Sequence, residues 1–285
     1  MNHPILPASL RVDLGGRTIH LLDWGGEGKP NLLLLHGIRL HAHVWNDFCR
    51  RYRQDFRILA MDQRGHGDSD WSGDEGYHLH GYYEDLLGVI EHLGVAPLTL
   101  LGHSLGARVA TLFTHLHPEM VKQLVLVDMG PGLPANFARH DFSRVTETPP
   151  PKEFPSPDAA VQYITSILRA GPPEVMEESV RHGLRQLDNG NFTWKYDPSL
   201  GGPPQPREGV REWDLWEAAR SLRCPTMLLY GAESQVVSEE IVTRMRAEIP
   251  GLQTQRVEKA GHALFTDQPD VFAHHTGAFL GVTPK

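Results

Sequence analysis

The chain has 285 residues, 40% hydrophobic and 22% charged, with a formal net charge of -8. That length suits one core of roughly 200–250 residues plus an insertion, and the apolar content is enough to offset chain entropy, which excludes a disordered polymer. The negative balance excludes a general binder of phosphate backbones, so nucleic acid is not an expected partner.

Cys49 and Cys224 are the only cysteines, which gives no disulfide framework. Residues 1–14 contain prolines and no apolar core of a signal peptide. The longest apolar runs, such as Leu32 to Leu35, fall far short of the roughly 20 residues that span a bilayer. These features predict a soluble, cytoplasmic protein with no integral membrane segment, as a monomer or homodimer.

Short apolar runs and periodic segments alternate along the first half. Strands are predicted at Asn31–His36, Phe56–Met61, Leu98–Gly102 and Gln123–Asp128. Helices are predicted at Ala42–Tyr52, Tyr82–Leu93 and Leu105–His117. This alternation defines βαβ units, hence a parallel sheet with helices on both faces. The rhythm breaks in residues 131–214, which hold Thr148-Pro-Pro-Pro151, Gly201-Gly-Pro-Pro204 and helix-like stretches at 159–169 and 174–187. Phe192, Trp194, Tyr196, Trp213 and Trp216 make this region too aromatic for a solvated tether, so an inserted helical lid is predicted. Strands resume at Pro225–Tyr230 and Gln253–Val257, with helices at Glu239–Glu248 and Pro269–Leu280. The organisation expected is therefore core at 1–130, cap at 131–214 and core again at 215–285.

Gly102-His-Ser-Leu-Gly106 matches G-x-S-x-G between a strand and a helix. A sharp turn there strains the serine backbone, needs small neighbours, and lifts the Ser104 hydroxyl above the sheet's carboxyl edge at a helix N-terminus. A hydroxyl nucleophile needs a base. Of 17 histidines, His262 in Ala260-Gly-His-Ala263 follows the last strand, at the same sheet edge. The turn His36-Gly37-Ile38 ends the first apolar strand, and the Ile38 and Leu105 amides are candidates for an oxyanion hole. Arg39 beside it is either a ligand for a substrate carboxylate or a solvated charge.

Together, His36-Gly37, Asp62-Gln-Arg-Gly-His-Gly-Asp-Ser69, Gly102-His-Ser-Leu-Gly106 and Ala260-Gly-His262 resemble the α/β-hydrolase family, in its order and over nearly the whole chain outside the cap. The resemblance implies a mostly parallel eight-stranded sheet flanked by helices, a Ser–acid–His triad and a cap after the sixth strand. It also marks Asp62 to Ser69 as a structural turn, with Arg64 and Asp68 as internal ion-pair candidates. The chain departs from the family at the acid. Ser234 in Gly231-Ala-Glu-Ser234 occupies the usual aspartate position. Asp128, at the end of the sixth strand, and Glu233 are the two substitutes, and Asp267 is a candidate cap for the last helix.

The expected pocket residues are His36, Gly37, Arg39, His103, Met129, Trp194 and Trp213. The pairs His41-x-His43, His78-x-His80 and His115-x-His117 join no carboxylate at a recognised ligand spacing, and there is no G-x-G-x-x-G or phosphate loop, so no metal and no cofactor are expected. The activity expected is hydrolysis of a small carboxylic ester or lactone. Thioester and carbon–carbon hydrolysis use the same machinery. A ligand-binding receptor on this scaffold, with little turnover, is the alternative of another class.

Overall fold

A computed structural model describes residues 6–73, 76–132, 151–167, 171–200, 212–283 and 285. The strands are β1 (Ala8–Asp13), β2 (Thr18–Asp23), β3 (Asn31–Leu35), β4 (Arg57–Met61), β5 (Leu98–His103), β6 (Val121–Val127), β7 (Leu184–Gln186), β8 (Phe192–Trp194), β9 (Thr226–Gly231) and β10 (Gln253–Val257). The helices are α1 (Asn46–Tyr52), α2 (Leu79–Leu93), α3 (Leu105–Leu116), α4 (Pro157–Ile167), α5 (Pro173–His182), α6 (Leu215–Arg220), α7 (Glu239–Glu248), α8 (Leu264–Asp267) and α9 (Pro269–Leu280).

The leucine run of β3 is continuous because both faces of the strand are covered. Leu33 and Leu35 join the core cluster that holds residues of α2, α3 and α7. Leu32 and Leu34 join the opposite cluster, with residues of α1 and α9. Val125 and Val127 of β6 likewise face away from Leu124 and Leu126. Each fully buried leucine contributes about 1.5–3 kcal/mol, so the sheet's centre is the strongest element of the fold. Eight strands lie in the order β1-β2-β4-β3-β5-β6-β9-β10. The β1–β2 and β2–β4 pairs are antiparallel, and the other pairs are parallel. The α/β architecture with a mostly parallel eight-stranded sheet is thus present. The parallel strands send their carboxyl ends, and the turns after them, to one edge.

Residue reading alone places neither β1 nor β2. Only Val12 is fully buried in β1, and β2 carries a buried histidine, His20, in its apolar run. The ring of His20 donates from Nδ1 to Asp62 Oδ2 at 2.7 Å. The carboxylate of Asp62 also accepts Ala42 N–H at 2.6 Å and Asp68 N–H at 3.1 Å. Burial alone would push this carboxyl up, but the hydrogen bond from His20 and the neighbouring imidazoles hold it well below the usual carboxylate range.

The segment between β6 and β9 leaves the sheet. Residues 148–150, 168–169 and 201–204 of the sequence reading lie outside the described residues. The expected helix over 174–187 ends at His182, and the polar stretch after Gly183 forms the two-stranded β7–β8 hairpin instead. Phe154, Ala160, Met176, Val180 and Leu184 make a small core of their own. The segment docks onto the main body by named contacts. Arg50 grips Glu178 with Nη1 and Nη2, and the His43 and His182 rings stack at 3.7 Å. Lys195 pairs with Asp68 at 2.9 Å. Both expected ion-pair candidates of the turn, Arg64 and Asp68, are engaged, each with a partner from outside the turn. Arg64 forks onto Asp85 on α2, at 2.6 and 2.7 Å, because that carboxylate is buried beside it.

Candidate active site

Three short connections at the carboxyl edge meet around Ser104. The first is the turn from β5 into α3. Ser104 has φ 53° and ψ -114°, a left-handed backbone that costs a non-glycine residue on the order of 1–3 kcal/mol. The turn closes only because its neighbours are bare. A Cβ on Gly102 would stand 2.4 Å from the Gly106 carbonyl oxygen, and one on Gly106 would stand 2.4 Å from that of Leu35. The Ser104 N–H donates to Val127 O at 3.2 Å, which ties the turn to the end of β6. Ser104 is buried.

The second connection is the residue that leaves β6. Asp128 is fully buried, also at positive φ, 49°. Its Oδ1 accepts Gly231 N–H at 2.9 Å. Its Oδ2 accepts the Ser234 hydroxyl at 2.5 Å and His262 Nδ1 at 2.7 Å. Ser234, where the family usually carries its acid, donates to the Asp128 carboxylate after the next strand. Glu233 enters the same loop with its N–H on the Ala260 carbonyl at 2.9 Å. The carboxylate against the His262 ring is that of Asp128.

The third connection is the loop from β10 to α8, which carries His262. Asp267 does not cap the last helix, whose N-cap is Gln268. Its Oδ2 accepts Gly261 N–H at 2.8 Å and so holds the histidine loop, and burial raises its carboxyl pKa. His103 braces the loop from the other side. Its Nε2–H donates to the His262 carbonyl at 2.9 Å, and the two rings lie 4.5 Å apart. Burial, then the neighbouring His262, push His103 well below the ordinary histidine range, so the ring is neutral. With Nδ1 of His262 against a carboxylate, the neutral ring carries its proton there and Nε2 is the basic nitrogen.

The remaining expected residues separate into groups. The Ile38 and Leu105 N–H groups, one on each side of the Ser104 turn, find no acceptor among the described residues. Gly37 packs so closely on His103 that a Cβ would lie 2.7 Å from Nδ1. His36 uses both ring nitrogens internally: Nδ1 donates to Gly37 O at 2.7 Å and Nε2 accepts Gln63 N–H at 3.0 Å. Burial lowers its pKa to about 4. Met129 packs in the core cluster of α2, α3 and α7. Arg39 spends Nε and Nη2 on the Leu200 carbonyl, at 3.2 and 2.9 Å, and stands over the Tyr196 ring. Trp194 packs edge-on to Phe154, and Trp213 packs beside Leu112 and Leu215. Sequence reasoning missed the contacts of Ser234 and His103, which depend on strands and loops far apart in the chain.

His20, Asp62 and Asp68 are the one group among the described residues with donor atoms of three such side chains within 4.8 Å. Their ligand atoms are engaged by the Asp62 hydrogen bonds above, by the Ser9 hydroxyl on His20 Nε2 at 2.9 Å and by Lys195 on Asp68, an arrangement that holds the turn from Asp62 to Ser69. No helix among the described residues is long and apolar enough to cross a membrane.

A strand–serine–helix elbow on a mostly parallel sheet, with an acid and a histidine at the same edge, defines a hydrolase scaffold. The chain matches the model of the alpha/beta hydrolase fold over residues 30–269 and belongs to that family. It is 29% identical to the esterase Rv0045c of Mycobacterium tuberculosis over 93% of this chain and 86% of that protein. It is 27% identical to 2-(acetamidomethylene)succinate hydrolase of Mesorhizobium japonicum, over 92% and 91%. A crystal structure of E-2-(acetamidomethylene)succinate hydrolase superposes with a TM-score of 0.86 at 26% identity, covering 97% of this chain and 100% of that one. Epoxide hydrolase 4 of Mus musculus is 24% identical, over 95% of this chain and 78% of that protein.

Proposed function

We propose that this protein is a serine hydrolase of carboxylic esters. Ser104 attacks the acyl carbon while His262 Nε2 takes its proton. Asp128 holds the imidazole in the required tautomer and stabilises it when charged. The Ile38 and Leu105 amides receive the oxyanion. His262 then protonates the leaving alcohol, and water releases the acyl group by the same steps in reverse order. The segment between β6 and β9, with Trp194 and Tyr196, serves as the lid that excludes bulk water.

The observation that carries this reading is the 2.7 Å contact of His262 Nδ1 with a fully buried carboxylate, on the strand next to the one that presents the serine. The esterase among the relatives supports it. Ser104 stands where, by family resemblance, epoxide hydrolases carry an aspartate nucleophile, so epoxide opening is not the activity proposed. Lactones and thioesters are substrates of the same machinery.

Treatment with a fluorophosphonate, followed by peptide mass spectrometry, tests the reading alongside a p-nitrophenyl ester panel. An adduct on Ser104 with ester turnover is expected. No adduct on folded protein overturns the mechanism, and an adduct without turnover of any ester points to a receptor on this scaffold.

A further inference from the structure

The first half of α3 is buried except at Leu105 and Arg108. These residues are three apart, so they share one face of the helix, next to the serine in sequence. The Arg108 N–H donates to the Ser104 carbonyl at 3.2 Å, which places Arg108 one turn, about 6 Å, further along the helix. Helical side chains lean toward the N-terminus, so the arginine reaches back over Leu105 toward the sheet's carboxyl edge. One turn beyond it, Leu112 packs with Leu215 and Ala218, next to Trp213. The arginine therefore stands at the head of an apolar wall.

The Arg108 guanidinium forms no hydrogen bond or ion pair with any residue among those described. Among the described residues the buried carboxylates are committed elsewhere: Asp62 to His20 and Ala42, Asp85 to Arg64 and Arg17, Asp128 to His262 and Ser234, and Asp197 to Tyr77 and Ser199. Burial lowers the guanidinium's pKa, with no carboxylate acting against that loss. A desolvated charge is costly to keep unpaired, and such groups concentrate where a ligand supplies the partner.

We propose that Arg108 is a substrate-binding residue for an anionic group, a carboxylate on the acyl part of the substrate, held one helical turn from Ser104. The proposal rests on the serine-hydrolase reading and narrows it to esters of dicarboxylic acids. A guanidinium presents two parallel N–H donors to a carboxylate. One turn of helix sets the charge a few carbons from the scissile carbonyl, which favours an acyl chain the length of glutaryl. The apolar residues beyond Arg108 exclude water from the pair and strengthen it.

The test compares 4-nitrophenyl hydrogen glutarate with 4-nitrophenyl valerate, which share an acyl length and differ in the terminal charge. The wild-type enzyme is expected to prefer the glutarate ester. In Arg108→Gln the ratio of the two kcat/KM values falls by about 10- to 100-fold, the range of one charge-assisted contact. Arg108→Lys retains part of the preference. Glutarate itself is titrated by thermal shift into the wild type, Ser104→Ala and Arg108→Gln, a readout that needs no turnover. Stabilisation of the first two proteins and not the third supports the subsite. If the ester ratio and the glutarate shift are the same in Arg108→Gln as in the wild type, or if the wild type shows neither preference nor shift, the subsite is overturned. Turnover of both esters with an unchanged ratio removes the subsite and leaves the hydrolase. An Arg108-dependent glutarate shift without turnover of either ester removes the hydrolase and leaves the subsite.

Discussion

Replacing Asp128 with asparagine tests the assignment of the acid, and its effect follows from three fixed donors. The carboxylate is fully buried and receives Gly231 N–H on Oδ1, and Ser234 Oγ–H and His262 Nδ1–H on Oδ2. An asparagine offers one oxygen. The Gly231 amide belongs to the end of β9 and cannot turn away, so the oxygen stays with it and the NH2 faces Ser234 and His262. The Ser234 hydroxyl rotates to accept. The imidazole must then present a lone pair at Nδ1 and carry its proton on Nε2, where it can no longer take the proton of Ser104. The wrong tautomer lowers kcat by roughly 10⁴-fold, equivalent to about 5.4 kcal/mol in the barrier. The assay is kcat on p-nitrophenyl butyrate, with the fluorophosphonate labelling rate measured in parallel and circular dichroism to show that the fold persists. Glu233→Gln is expected to stay within roughly twofold of the wild type. An Asp128→Asn enzyme within tenfold of wild type, or a greater loss from Glu233→Gln, refutes the reasoning.

Ser104→Gly removes the nucleophile and relieves the positive-φ backbone. It should abolish turnover and raise Tm by about 2–4 °C, the equivalent of about 1 kcal/mol, and a lower Tm contradicts the strain account. Ser234→Ala deletes a hydrogen bond to a buried carboxylate, so a loss of about 1–3 kcal/mol in urea unfolding and a clear fall in kcat are expected, and no change in either shows that the contact is idle. Gly102→Ala puts a methyl against the Gly106 carbonyl at 2.4 Å. It should cost about 1–3 kcal/mol or more, and wild-type stability by calorimetry contradicts that close approach. Burial holds His36, His41 and His43 neutral down to about 4, against 6.5 when unfolded. The unfolded chain takes up these protons first, so their contribution is complete above pH 6.5 and drains as pH falls toward 4, each by up to about 1.4 kcal/mol per pH unit. Tm should therefore drop across that window, less steeply in His41→Gln, and equal slopes in the two proteins refute the assignment.

The strands from β3 onward that build the sheet were readable because most are covered on both faces and so appear as unbroken apolar runs. The antiparallel start was not readable from residues. β1 is an edge strand with one fully buried side chain, and in β2 the burial of His20 depends on Asp62, 42 residues away. Ser104 and His262 could be singled out because a local turn pattern marks each of them. The acid could not be settled from the residues, because the choice turns on how β6 lies against β9. The pairing of Val127 with Leu229 sets Asp128 beside Gly231 and Ser234 and turns its carboxylate toward His262. Arg64 has the same explanation. Its partner lies 21 residues away on α2, whereas the nearer Asp68 is taken by Lys195 from the segment after β6. Arg108 gave no pattern at all, since what distinguishes it is the lack of a counter-charge among the described residues, a property of the folded neighbourhood.

The hydrogen bond from Ser104 N–H to Val127 O joins the residue that would attack the substrate to the residue just before the proposed acid. The two sit at the ends of adjacent, register-locked strands, His103 opposite Val127, so their separation is a constant of the sheet, about one strand spacing of 4.8 Å. Only His262 rides on a loop. A proton relay of the kind proposed would have two members set by strand register and a third set by the contacts of its loop with Asp267 and His103. In that arrangement the end of β9 and the loop after it supply a backbone amide and a hydroxyl to the proposed acid.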